Sequence, residues 1–228
     1  YLLGPDSPIT HPSVAIIASV LYLVAGLGTY ELLTRLPFSH RAKVFSVFMA
    51  IFVAGFSLIA FWLFSPRAAA IHLGAMLGTV MAANVFVVII PNQRVMVDAM
   101  LAGDKPDTSK GADGALRSLH NNYLTLPVLF IMVSNHFPFT FGSSASWAVL
   151  VIISILGAAV RHWFNLHGQG HNNAYILPGA ALGLIALALA MKPAAPEKNI
   201  EPVSWCEVQP IINKHCVSCH AENPTDPG

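Results

Sequence analysis

Six stretches of this chain are long and apolar enough to cross a lipid bilayer, and no other property narrows its possible folds as far. A helix crossing about 30 Å of hydrocarbon at a rise of about 1.5 Å per residue needs about 20 mostly apolar residues. The stretches run from Pro12 to Thr34, Val44 to Phe64, Ala68 to Ile90, Leu116 to Ser134, Ser146 to Phe164 and Ala174 to Met191. Their apolar residues lie all round the helix instead of along one stripe, which in a chain with several such segments implies contact with lipid. Membrane strands would need an alternation of about ten residues per strand, and the sequence lacks it. The expected fold is therefore all-α, a polytopic transmembrane helix bundle of six spans. Composition agrees, with 55% hydrophobic and 10% charged residues, against about 25% charged in soluble domains. A net charge of +1 gives no electrostatic grip on a phosphate backbone, so nucleic acid is excluded as a partner.

Prolines punctuate the spans because the residue lacks an amide hydrogen and clashes with the preceding turn. Pro37, Pro66 and Pro91 mark expected boundaries, and Pro127 predicts a kink inside the fourth span. The Gly, Pro, Asp, Lys and Ser residues from Asp98 to Asp113 predict an exposed loop. Residues 1–192 then form the membrane part, 193–202 a linker, and 203–228 the N-terminal fragment of a cytochrome c domain.

That last assignment rests on Cys216-Val217-Ser218-Cys219-His220. In a CxxCH motif two thiols add across the haem vinyl groups and the His becomes an axial iron ligand, so residue type and spacing both follow from the chemistry. No Met follows Met191 to serve as the opposite ligand, and Cys206 reads as a free thiol. A chain that opens on Tyr1 and stops eight residues after the motif is expected to be a piece of a longer protein. Haem c is attached outside the bacterial cytoplasm, which puts the end of the sixth span on the outer side. The count back through six spans then leaves Arg35, Arg41, Lys43, Arg94, Lys105, Lys110, Arg117 and Arg161 on the inner side. Only Arg67, Lys192, Lys198 and Lys214 remain outside, in agreement with the positive-inside rule. The expected location is the bacterial inner membrane, multi-pass, with the tail on the periplasmic side.

Ionisable and amide side chains within spans are costly and point to function. His72 lies near the start of the third span, where it either ligates a haem b or forms a structural hydrogen bond. Gly74 and Gly78 make a small-xxx-small face for helix approach. Polar groups also gather at the inner ends: Asn92, Gln93 and Arg94; Arg117, His120, Asn121 and Asn122; Arg161, His162 and Asn165. Fixed cations, amides and aromatic rings at one depth suit a flat anionic molecule rich in amide groups. Helix capping and anchoring account for the same residues without a ligand, and His120 with His162 would also serve a second haem b. Glu31 and Arg35, spaced i, i+4, are expected to pair, and Asn84 to bond between helices.

Ile71-His72-Leu73-Gly74-Ala75, Asn84-Val85-Phe86, Ile90-Pro91-Asn92-Gln93-Arg94, the run from Arg117 to Phe130, Ser134-Asn135-His136 and Arg161-His162-Trp163-Phe164-Asn165 carry a resemblance. Together with the CxxCH tail, they make the chain similar to the bacterial membrane-bound urate oxidases (PuuD-type urate hydroxylases). Such proteins have further N-terminal spans and a complete C-terminal cytochrome c. The resemblance implies an oxidoreductase of purine catabolism that converts urate, or a related purine, to 5-hydroxyisourate. Its electrons would leave through haem c to a cytochrome c or terminal oxidase. On this reading Arg94, Arg117 or Arg161 binds the anion, and Asn92, Gln93, Asn121 and Asn122 read the ring edges. His120 or His162 accepts a proton. Cys216, Cys219 and His220 hold the haem c, with His72 open to a haem b. The alternative is a quinol-linked membrane electron-transfer protein that uses the same histidines for haem b.

Overall fold

The computed structural model describes residues 2–3, 7–134, 145–192 and 203–217. Two compact units emerge, Tyr1–Met191 and Lys192–Gly228. The first holds α1 (Pro12–Arg35), α2 (Ala42–Leu63), α3 (Pro66–Leu101), α4 (Thr108–Ser134), α5 (Ser146–Gly168) and α6 (Ile176–Ala190). In the second, α7 (Trp205–Ile212) runs into a π-helical stretch, Asn213–Val217. No strand occurs among the described residues.

Every expected span is helical, but only α1, α2, α3 and α5 are both long and apolar enough to cross a membrane. Six spans were expected, and four are shown by length and composition among the described residues. The 15 residues of α6 reach about 22 Å at 1.5 Å per residue, short of the hydrocarbon thickness. With 27 residues, α4 is long enough, yet its first half carries Lys110, Asp113, Arg117 and His120. Its buried residues, Gly114, His120, Leu124, Pro127, Ile131 and Ser134, fall on one face. That face packs between α3 and α5.

The bundle is built around α3, where Leu73, Met76, Leu77 and Val80 are fully buried against α1, α2 and α4. Outward faces are apolar: Trp62 is 66% and Phe86 71% exposed, while Ser57 and Asn84 are buried. An outer face as apolar as the interior is the reverse of a water-soluble surface, and it is compatible with a membrane protein. Pro91 does not end α3 as expected. A π-helical turn, Asn84–Ile89, precedes it, so that Ile90 N–H donates to Val85 O. This wider turn accommodates the missing amide of Pro91, and the helix continues to Leu101. The expected loop from Asp98 to Asp113 is likewise shorter, spanning 102–107. Asp107 accepts from both Ser109 N–H (2.9 Å) and Ser109 Oγ–H (2.7 Å), starting α4 early. The Ser109 hydroxyl is the main reason that the Asp107 carboxyl sits below its ordinary pKa.

Of the two glycines expected to admit a neighbouring helix, only Gly74 does so. A Cβ there would lie 2.7 Å from Ile131 Cγ2, whereas one on Gly78 meets nothing within 4 Å. Gly26 on α1 is a further close approach, against buried Met76. Gly74→Ala is therefore expected to destabilise the bundle by about 1–3 kcal/mol, because β-branched Ile131 is stiff and has no room to yield. Gly78→Ala should leave the thermal midpoint unchanged or slightly raised. Paired unfolding curves in one detergent check both.

Candidate functional site

The most polar part of the bundle is a hydrogen-bonded chain joining α1, the π-turn of α3, and α4. Arg117, whose side chain is 11% exposed, donates to Glu31 Oε1 at 3.0 Å and to Asn84 Oδ1 at 3.2 Å. Its guanidinium also lies 5.3 Å from the centroid of the Tyr30 ring. Asn84 Nδ2 donates to Tyr30 Oη at 2.9 Å and to Asn121 Oδ1 at 2.8 Å. Asn121 Nδ2 in turn donates to Met81 O, one turn before the π-helical stretch. Tyr30 Oη and His120 Nδ1 are 2.9 Å apart, both groups being buried. Glu31 pairs with Arg35 as expected, at 3.5 Å, but Arg117 is the closer cation.

One member of this chain fixes the polarity of all the others. A guanidinium only donates, so the oxygen of Asn84 must face Arg117 and its amide must face Tyr30 and Asn121. Tyr30 thus accepts from Asn84 and spends its own proton on His120 Nδ1. His120 is left with its proton on Nε2. Phe45 covers one face of the imidazole, stacked at 4.4 Å.

On the far side of His120, a cavity of about 300 Å³ lies between α2, α4 and α5. Phe45, Met49, Val53, Leu124 and Ile155 supply most of its wall. His120, Tyr123 and Ser154 are among its polar members, but the Ser154 hydroxyl is spent on Leu150 O. No Lys, Arg, Asp or Glu lines it.

A second polar group joins α4 to α5. Arg161 Nε donates to Asn122 Oδ1 at 2.5 Å, and Tyr123 Oη lies 2.7 Å from His162 Nδ1. Among the described residues Arg161 has no carboxylate partner, in contrast to Arg117. One turn further along α5, buried Asn165 Nδ2 has no hydrogen-bond acceptor. Arg161 and Asn165, spaced i, i+4, share one face of α5.

The inner-end residues therefore divide into three places. Arg117, Asn121 and His120 belong to the α1–α3–α4 chain; Asn122, Arg161 and His162 belong to the α4–α5 group. Asn92, Gln93 and Arg94 follow the π-turn on α3, where Gln93 and Arg94 are exposed and none of the three has a side-chain hydrogen bond among the described residues. Tyr30 and Phe45 were not singled out as site residues in the sequence. The available signal was Glu31, a carboxylate within a span that calls for a buried cation beyond Arg35.

At the other end of α3, His72 Nδ1 donates to Ala68 O at 2.7 Å. Its ring stacks on Phe64 at 4.2 Å and meets the edge of Tyr22. In the second unit, Ser204 and Glu207 form a capping box that starts α7, with Ser204 N–H donating to Glu207 Oε2 at 2.9 Å. Cys216 is a free, exposed thiol, as is Cys206. Cys219 and His220 lie outside the described residues, as does His136. No cluster of three or more His, Cys, Asp or Glu side chains occurs among the described residues.

Comparison with known proteins gives one match: a family model described as urate oxidase N-terminal covers residues 1–192. No curated protein and no solved structure matches the chain.

Proposed function

The chain belongs to the urate oxidase N-terminal family, and from that premise we propose that it oxidises urate to 5-hydroxyisourate within the bacterial inner membrane. Water supplies the added oxygen, and two electrons and two protons are released. The observation that carries the placement of the substrate is Arg161, a cation without a carboxylate partner among the described residues. Urate is a planar anion edged with carbonyl and N–H groups. Arg161 pairs its charge, and Asn122 holds the guanidinium in place.

Of the two histidines considered as proton acceptor, His162 suits the role. Its Nδ1 lies 2.7 Å from Tyr123 Oη, and in the tautomer that donates there the Nε2 lone pair serves as the base. His120 is held in the opposite state, with Nδ1 accepting from Tyr30 and Nε2 already protonated. Arg117 is neutralised by Glu31 and acts by holding the chain that orients His120. Asn121 belongs to that same chain, and Asn92, Gln93 and Arg94 lie outside both groups.

Cys216 is free and exposed, as thioether attachment requires, and Cys216, Cys219 and His220 would hold a haem c on the periplasmic side. Bound there, the haem supplies a one-electron acceptor that passes charge to a cytochrome c or terminal oxidase. His72, whose Nδ1–H is held by Ala68 O, would present Nε2 to a haem b, which would need a second axial ligand.

Anaerobic addition of urate to the purified full-length protein is the test. The expected result is the appearance of reduced c-type absorption bands, with xanthine inert. If urate leaves the spectrum oxidised while a quinol reduces it rapidly, the urate reading fails and the quinol-linked alternative replaces it.

A further inference from the structure

We propose that the cavity between α2, α4 and α5 binds the ring of a lipid-soluble quinone, with a quinone carbonyl accepting a hydrogen bond from His120 Nε2–H. The inference does not depend on the urate reading, since it concerns a different place in the bundle and a different ligand chemistry.

Three observations meet at this cavity. Its wall is apolar and carries no charged side chain. An anion entering it would lose hydration with no cation to compensate, whereas a neutral ring gains from the burial. The second is the donor. His120 Nδ1 is taken by Tyr30 on the α1 side, so Nε2 points away from Tyr30. His120 lines the cavity. Among the described residues its Nε2 has no hydrogen-bond partner, yet it is not among the fully enclosed unsatisfied atoms, so it keeps access to the open space. An acyl chain filling the cavity would leave this N–H unsatisfied, while a carbonyl ring satisfies it.

The third observation is how firmly the donor is held. Arg117, Asn84 and Tyr30 fix the tautomer in sequence, and Phe45 fixes the plane of the imidazole. The arrangement presents one oriented N–H to a mostly apolar space, whose other polar members are Ser39, His40, Ser46, Tyr123 and Ser154. Ring-shaped, neutral, lipid-soluble and carbonyl-bearing is the ligand class that these features select.

Equilibrium titration of the full-length protein in lipid nanodiscs with a decyl-substituted benzoquinone tests the assignment. The wild type is expected to bind it saturably. Ala158→Phe fills the cavity from α5 without touching the hydrogen-bonded chain and should abolish binding. Tyr30→Phe, which releases the tautomer, should weaken it by up to about tenfold. A decyl-substituted benzene of the same shape but without carbonyls should bind at least as weakly as the quinone binds Tyr30→Phe. The proposal is overturned by non-saturable partitioning, by equal affinity in the wild type and Ala158→Phe, or by equal affinity for the carbonyl-free ring. Competitive displacement of the quinone by urate would also overturn it, by making the cavity the substrate site. Loss of quinone binding with urate-driven haem reduction intact refutes this inference alone, and the converse result refutes the urate reading alone.

Discussion

Arg161→Gln is expected to lower kcat/KM for urate by about a hundredfold, the direction and scale of removing one partner from a desolvated, hydrogen-bonded charge pair. Gln keeps a donor and much of the side-chain length, so the loss reports the charge. Most of it should appear in KM, because an anion anchored in the ground state is anchored equally in the transition state. Arg117→Lys provides the contrast. It retains the cation opposite Glu31 and should change KM little, since that guanidinium already has its partner at 3.0 Å. Steady-state kinetics with both variants separate a substrate cation from a structural one. Equal effects on KM would remove Arg161 from the substrate site.

Glu31→Leu should destabilise the bundle by about 3 kcal/mol, since it leaves the largely buried guanidinium of Arg117 without its counter-ion. For a domain of this length that corresponds to a fall of roughly 6–12 °C in the thermal midpoint. Arg35 cannot reproduce the effect, its side chain being 74% exposed and its separation from Glu31 3.5 Å. The double variant Glu31→Leu with Arg117→Met is expected to recover part of the loss, because an apolar pair leaves no unpaired charge. Apparent midpoints of the wild type, both single variants and the double variant, taken in one detergent, complete the cycle. Additive losses would show that the two side chains do not act as a pair.

The helices were legible in the sequence to different depths. All six apolar stretches are helical, since twenty consecutive apolar residues leave the backbone few alternatives. Their boundaries depended on local chemistry that periodicity does not carry. At Pro91 the sequence offers a helix stop, and a π-turn five residues long in carbonyl-to-amide register removes it. At Asp107 a side-chain cap extends α4 into what composition marks as loop. The status of α4 as a span is the instructive case: mean hydropathy counts Arg117 and His120 as if they faced lipid, while packing turns them inward.

Site residues were legible by type and not by partnership. Arg94, Arg117 and Arg161 look alike in a sequence, each a cation at the inner end of an apolar stretch. In the fold one is exposed, one is neutralised by Glu31 and one has no carboxylate partner among the described residues. Similarly, His120 and His162 are equivalent candidates until Tyr30 and Tyr123 are placed beside them. Tyr30 is 90 residues from His120, and no spacing rule reaches that far.

By itself the sequence determined that this chain is helical, apolar on its outside, and furnished with a CxxCH motif. Each is a property of composition or of short-range order, read within a few turns of one helix. Tertiary structure decided which cation stays uncompensated, which nitrogen of His120 carries the proton, and that an uncharged cavity adjoins it. Those outcomes depend on contacts among α1, α3, α4 and α5, because the charge and hydrogen-bonding state of a buried group are set by what packs against it.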